Sequence, residues 1–266
     1  MMFGKLWKYE WMAMMRKMCP VYGAVLVISL VNGLGIFSHT ALPADFLEGL
    51  LALLYVVALV VLCVITVLAV IERFYDGLFK QEGYLMFTLP VKVRQIVASK
   101  ACVAVLMVWV SVLAAFCSII LLDTSMVHGI AEGFRGFFLE FMEAFHASPA
   151  ETAHMALFLT ELMIAGILWC FMAAYHFYVA MALGHLSRNH RGGLSVLWYV
   201  VIYVVGCFVN YAVWSFVRWL PAIGELFPGI SSVHILGIGL ILYHGAKLAL
   251  FAFATEYILT HRLNLE

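Results

Sequence analysis

The sequence predicts an all-α, polytopic integral membrane protein with six transmembrane helices and both termini on the cytoplasmic side. Three observations carry that expectation. Hydrophobic residues make up 65% of the 266 residues and charged residues 11%, whereas soluble domains carry about 25% charge. Six apolar runs reach the roughly 18 residues that a bilayer crossing requires. The basic residues fall almost entirely on one side of those runs. Mean hydropathy is +1.04. Such a composition excludes a soluble globular enzyme, a disordered tail and a secreted disulfide scaffold. With 15 basic and 15 acidic residues the formal net charge is zero, which argues against nucleic acid as a partner.

The runs cover residues 20–37, 50–71, 101–122, 154–183, 194–217 and 233–259. Each is apolar on every face. A closed barrel would need alternating segments of about ten residues, so the runs are read as helices. The fourth is long enough to tilt or extend past the bilayer. With the N-terminus in the cytoplasm, twelve basic residues fall inside: Lys5, Lys8, Arg16 and Lys17; Arg73, Lys80, Lys92, Arg94 and Lys100; Arg188 and Arg191; Arg262. Only Arg135 and Arg218 fall outside, and Lys247 lies within the sixth run. An odd number of spans would break this pattern.

Residues 1–19 read as a cytoplasmic interfacial amphipathic helix. Phe3, Leu6, Trp7, Met14 and Met18 gather mostly on one face, with Lys5, Lys8 and Arg16 off it. Such a helix takes membrane lipid as its partner, and it serves equally as a topogenic leader. Trp7 and Trp11 in a long basic region speak against a cleaved signal peptide. The membrane domain then spans 20–259, with a short cytoplasmic tail at 260–266. The six cysteines all fall within spans or at the cytoplasmic margin, so no disulfide framework is expected.

Catalytic signatures are missing. GxxxxGK[ST], a strand-borne GxGxxG, HExxH and GxSxG are all absent. His185 and His190 could be imagined as metal ligands but read more simply as part of a polar cytoplasmic loop. No enzymatic activity, cofactor or metal is expected, and energy for any work would come from another subunit.

The cytoplasmic segment 72–100 is too long for a tight helical hairpin. Gly83 permits a break, and Pro90 favours a helix starting just after it. From there Val93, Ile96 and Val97 can face the membrane or a groove, while Lys92, Arg94 and Gln95 face water or a partner. The stretch Glu82-Gly83-Tyr84-Leu85-Met86-Phe87-Thr88-Leu89-Pro90-Val91, followed by Arg94-Gln95-Ile96-Val97-Ala98-Ser99-Lys100, resembles the loop after the second span in permease subunits of type 2 ATP-binding-cassette (ABC) exporters. Val93 departs from that pattern, where a polar or basic residue is more usual. The rest of the chain resembles the class loosely, through its basic N-terminal helix and six spans.

The resemblance implies that this loop is a coupling helix docking on a separate ATP-binding-cassette ATPase subunit, with Glu82, Gly83, Leu89, Pro90 and Arg94 at its core. It implies two permease copies, or two related permeases, with ATP and Mg held by the partner. The chain would then be the permease subunit of a bacterial exporter in the plasma membrane, moving an amphipathic or peptide-like substrate. Two rival readings are a non-transporting sensor or immunity module and a polytopic lipid-modifying enzyme. The last lacks the cytoplasmic His, Asp or Glu cluster it would need.

Within the spans, Lys247 is a functional-site candidate because a lysine is costly there. The alternative is snorkelling toward the cytoplasmic headgroups. His244 lies one turn earlier on the same face, and Glu161 is a distant possible partner; together they mark an intramembrane polar path. Gly237, Gly239 and Gly245 allow close helix packing. Trp198, Tyr199, Trp214 and Trp219 fit aromatic belts. The outer segment 123–153 alternates Glu132, Glu140 and Glu143 with Phe134, Phe137, Phe138, Phe141 and Phe145. It reads as an interfacial amphipathic helix, either a lid or a connector. Pro221, Gly224, Pro228 and Gly229 break the last outer loop, which by the same resemblance would form short re-entrant helices.

Overall fold

A computed structural model describes residues 2–34, 44–79, 91–122, 125–187, 190–217 and 232–262. Among these residues there are seven α-helices and no strand. They are α1 (Met2–Gly33), α2 (Ala44–Phe79), α3 (Val93–Leu122), α4 (Ser125–Ala147), α5 (Pro149–Gly184), α6 (Arg191–Val217) and α7 (Ser232–His261). All except α4 are long and apolar enough to cross a membrane. Helices are the form such segments must take, because a backbone in hydrocarbon has to satisfy its own hydrogen bonds. The chain is a multi-pass helical membrane protein.

The helices outrun the apolar runs at several ends. The N-terminal helix and the first span are one element: α1 runs without interruption through Pro20, and its membrane-competent stretch begins at Gly4. A proline inside a membrane helix removes one backbone bond and is tolerated there. Hydropathy alone places the first span at 20–37 because Glu10, Arg16 and Lys17 interrupt the apolar pattern; its last residues, 35–37, lie outside the described residues. Similarly α2 continues past Ile71, where the charges of Glu72, Arg73 and Asp76 end the hydropathic signal but not the hydrogen bonding. Beyond the loop, α3 begins at Val93 and proceeds directly into the third span. Its first turn is closed by the Lys92 carbonyl, which accepts from Gln95 N–H at 2.8 Å.

Two breaks are local chemistry. Between α4 and α5, Ser148 leaves the helical region and Pro149 opens the next helix, a position where its missing N–H costs nothing. Before α6, His190 takes a left-handed conformation with φ 57°, and its carbonyl accepts from Leu194 N–H at 3.0 Å.

The described chain divides into two compact units, Met1–Lys80 with Cys102–Glu143, and Gln81–Ala101 with Ala144–Glu266. In the first, Met14, Met18, Tyr22 and Val25 of α1 form a buried stripe with Leu62, Ala69 and Val70 of α2 and with Val103, Ala104 and Met107 of α3. Met14 and Met18, expected to enter the acyl boundary, are buried against these helices instead. Trp7 and Trp11 stack at 5.9 Å and pack on the same cluster. In the second unit α5 packs along both α7 and α6. Gly184 permits a close approach of α5 to α6, since a Cβ there would meet Ser195 backbone N at 2.5 Å. The six cysteines are free.

Three phenylalanines of helix α4 point outward. Phe134, Phe137 and Phe138 are exposed, as are Glu132, Glu140 and Glu143. Phe137 and Phe141 stack at 6.3 Å on one side of the helix. The segment expected to form an amphipathic helix is helical, and these three phenylalanines on it are not covered.

Candidate functional site

The site begins with the polar residues carried inside α5, α6 and α7. Near the start of α5 and α7 stands a hydrogen-bonded row. Glu161 Oε1 lies 3.1 Å from His234 Nδ1, and His234 Nε2 lies 3.1 Å from His154 Nδ1. The consistent arrangement has His234 Nδ1–H donating to Glu161 Oε1 and His154 donating to His234 Nε2, while Glu161 Oε2 has no hydrogen-bond partner among the described residues. Glu161 and His234 are both buried. Gly237, one turn below His234, gives Glu161 its place: a Cβ at Gly237 would collide with the carboxylate and stand 3.0 Å from Glu161 Cβ. A small residue at a helix contact is the usual way to let a larger side chain in.

Further along α7 is a second group. Lys247 donates to the Tyr243 hydroxyl at 2.8 Å and reaches Asn210 Oδ1 of α6 at 3.4 Å. Tyr243 in turn donates to Asn210 Oδ1. The ammonium also lies 4.7 Å from the Tyr243 ring centroid, within range of a cation–π attraction. Across from it, Gly206 of α6 leaves space, with a Cβ there 3.9 Å from Lys247 Nζ. No carboxylate lies within ion-pair distance of Lys247 among the described residues. The His244 ring lies 5.2 Å from the Tyr243 ring. His176 stacks on Tyr199 at 4.6 Å, and Phe177 stacks on the same ring at 4.8 Å.

The polar path expected from Lys247, His244 and Glu161 thus resolves into two clusters. Glu161 sits level with Gly237, ten residues before Lys247 on α7, or about 15 Å along the axis. Glu161 belongs to the histidine row and not to Lys247. Tyr199, assigned to an aromatic belt by sequence, stacks on His176 instead. Trp198 and Trp214 are exposed as a belt would have them, and Trp219 lies outside the described residues. Of the three glycines, only Gly237 makes a close contact; Gly239 and Gly245 have nothing within 4 Å. Sequence reasoning passed over Asn210, His154 and His234. The signal was available, since each is a polar residue within an apolar run.

On the loop, Glu82, Gly83, Leu89 and Pro90 lie outside the described residues, as does the whole last outer loop. Arg94 is described and exposed in the first turn of α3, beside exposed Lys92 and Gln95. Ile96 and Val97 are buried, and so are Ser99 and Lys100. The amphipathic pattern expected from Lys92 to Val97 is the one observed.

At the end of α5, His185 Nδ1 lies 2.8 Å from the Met181 carbonyl oxygen. Burial holds the His185 pKa below the ordinary histidine value; the Met181 carbonyl opposes that shift and the charge of Arg191 adds to it. No group of three metal-ligating side chains is assembled among the described residues. The chain matches no protein-family model, no curated protein and no solved structure.

Proposed function

We propose that the chain is the membrane-spanning permease subunit of an ATP-binding-cassette exporter in a bacterial plasma membrane. It would move an amphipathic or peptide-like substrate while a partner subunit binds ATP and Mg and performs the hydrolysis. The observation that carries the transport reading is the Lys247 cluster in the middle of α7, since ionisable groups at that depth mark substrate or ion routes. The link to an ATPase rests on the resemblance of residues 82–100. In support, the exposed Lys92, Arg94 and Gln95 stand on the first turn of a helix that continues to Leu122. A push on Arg94 would travel along that rigid element into the third span. For such coupling, ATP must favour one conformation of the assembly over the other. Both termini lie in the cytoplasm in this account, and a second permease completes the assembly.

The test uses the ATPase encoded beside this chain's reading frame, co-expressed with it. Wild type should co-purify with that ATPase and confer resistance to an exported compound. Arg94→Glu should insert normally yet lose most of that resistance while ATP hydrolysis continues. Full resistance in Arg94→Glu would remove Arg94 from the contact, and an absent ATPase would remove the exporter reading.

A further inference from the structure

We propose that the Lys247–Tyr243–Asn210 cluster binds the anionic group of an amphipathic ligand, a single carboxylate or phosphate on an apolar body. The assignment rests on the transport reading for its biological role, and it names the class of substrate carried.

The first argument is depth. Lys247 lies near the middle of the His234–His261 span, about 20 Å from either end at 1.5 Å per residue. The second is direction. Side chains on a helix lean toward its N-terminus, and Lys247 Nζ is bonded to Tyr243, one turn toward that end. It therefore points away from the His261 end toward which it would have snorkelled. The third is charge. Tyr243 and Asn210 offer neutral oxygens, and the nearby rings His176 and His244 bring no negative charge. Glu161, the acid that sequence offered as a partner, is engaged by His234. An ammonium in hydrocarbon with dipoles but no counter-charge among the described residues is the side chain that an incoming anion would complete.

The shape around it fits an apolar body. On α6, Tyr203, Gly206, Asn210 and Trp214 recur at helical spacing and form one stripe. Tyr203 and Trp214 are exposed, and between them Gly206 and Asn210 leave a polar notch over the Lys247 amine. An acyl chain or aromatic body along Tyr203 and Trp214 would place its anionic end at the notch.

The experiment uses the full chain in nanodiscs of phosphatidylcholine. The probes are a fluorescent fatty acid, the same chain ending in a phosphate, and its uncharged methyl ester. Wild type should bind at least one anionic probe tenfold or more tighter than the ester; which one identifies the headgroup. Lys247→Met should abolish that preference and Lys247→Arg should retain it. Gly206→Leu, which keeps the charge but fills the notch, should weaken the anionic probe without favouring the ester. Equal binding of acid and ester by wild type, or a preference intact in Lys247→Met, overturns the proposal. So does a wild-type dimer that Lys247→Met splits while probe preference stays unchanged, because the amine would then be covered by a second copy. Anion preference without a co-purifying ATPase would leave this site standing and remove the exporter reading; the converse would do the reverse.

Discussion

Midway along α1, α2 and α3 buried hydroxyls bond one another across the helices. Along α5 and α7 the corresponding groups include histidines, a glutamate and a lysine, with Asn210 of α6 beside the lysine. In the first unit Tyr22 of α1 and Thr66 of α2 each stand 2.9 Å from the Ser111 hydroxyl of α3. Seven residues further along α1 and α3 the pattern repeats: Ser29 donates to the Ser118 carbonyl, and the Ser118 hydroxyl lies 2.9 Å from that of Tyr55. All six residues are buried. The described ion pairs of this unit, Lys17 with Glu72 and Glu10 with Arg73, stand together where α1 begins and α2 ends. That is the side the basic residues assign to the cytoplasm. The contrast teaches where to look for work. Hydroxyl ladders tie helices together and are complete in themselves. Ionisable groups at mid-span carry a cost that packing alone does not require.

Three perturbations probe this contrast. The largest effect is expected at the ion pair of the first unit. Glu10 is only 2% exposed and Arg73 Nε lies 2.5 Å from its carboxylate. Arg73→Met should cost about 3 kcal/mol, the low end for breaking a buried pair. Adding Glu10→Gln should recover part of the loss. An unchanged melting temperature for the single variant would mean that the pair contributes nothing to holding α1 on α2.

A smaller loss is expected where α5 meets α7. Gly237→Ala puts a methyl against Glu161, and overpacking of this kind costs about 1–3 kcal/mol. Gly239→Ala, with nothing within 4 Å, should be neutral or slightly stabilising. Equal behaviour of the two variants would contradict the placement of Glu161.

The smallest effect is a pH slope. Because His185 titrates below the ordinary histidine value of 6.5, the folded chain takes up this proton less readily than the unfolded one. Its contribution is fully present above pH 6.5 and is lost as pH falls through the lower folded value. Thermal melts between pH 7 and pH 5 should therefore fall less steeply for His185→Gln than for wild type. A steeper fall in the variant would reverse the sign assigned to His185.

Spans were legible in the sequence because hydrocarbon tolerates little else than long apolar helices, and all six appear. Their ends were less so. Glu72 and Arg73 look like the start of a loop, yet their partners on α1 let α2 continue to Phe79. The partners inside the membrane were illegible for a different reason. Ser29, Thr66, Ser111 and Ser118 occur singly in four apolar contexts, and only the register between helices joins them. Lys247 drew attention because a charge in an apolar run is conspicuous. Asn210, its partner, is neutral and did not. The loop core 82–90, which carries the resemblance, lies outside the described residues, so its motif stands on sequence alone.

The central claim is that hydroxyls in the first unit hold the fold while Lys247 in the second serves a ligand. Thermal melting of two variants in one detergent tests it most directly. Thr66→Val with Ser111→Ala removes the hydroxyl bonds that Ser111 makes to Tyr22 and Thr66 and should lower stability by about 0.6 kcal/mol per lost interhelical bond. Lys247→Met removes a charge that costs about 2.5–3.5 kcal/mol on insertion scales, so its melting temperature should be unchanged or higher. Opposite shifts, or a loss in the first variant alone, support the account. A Lys247→Met protein that melts below wild type, beside a hydroxyl variant that melts with it, would contradict it.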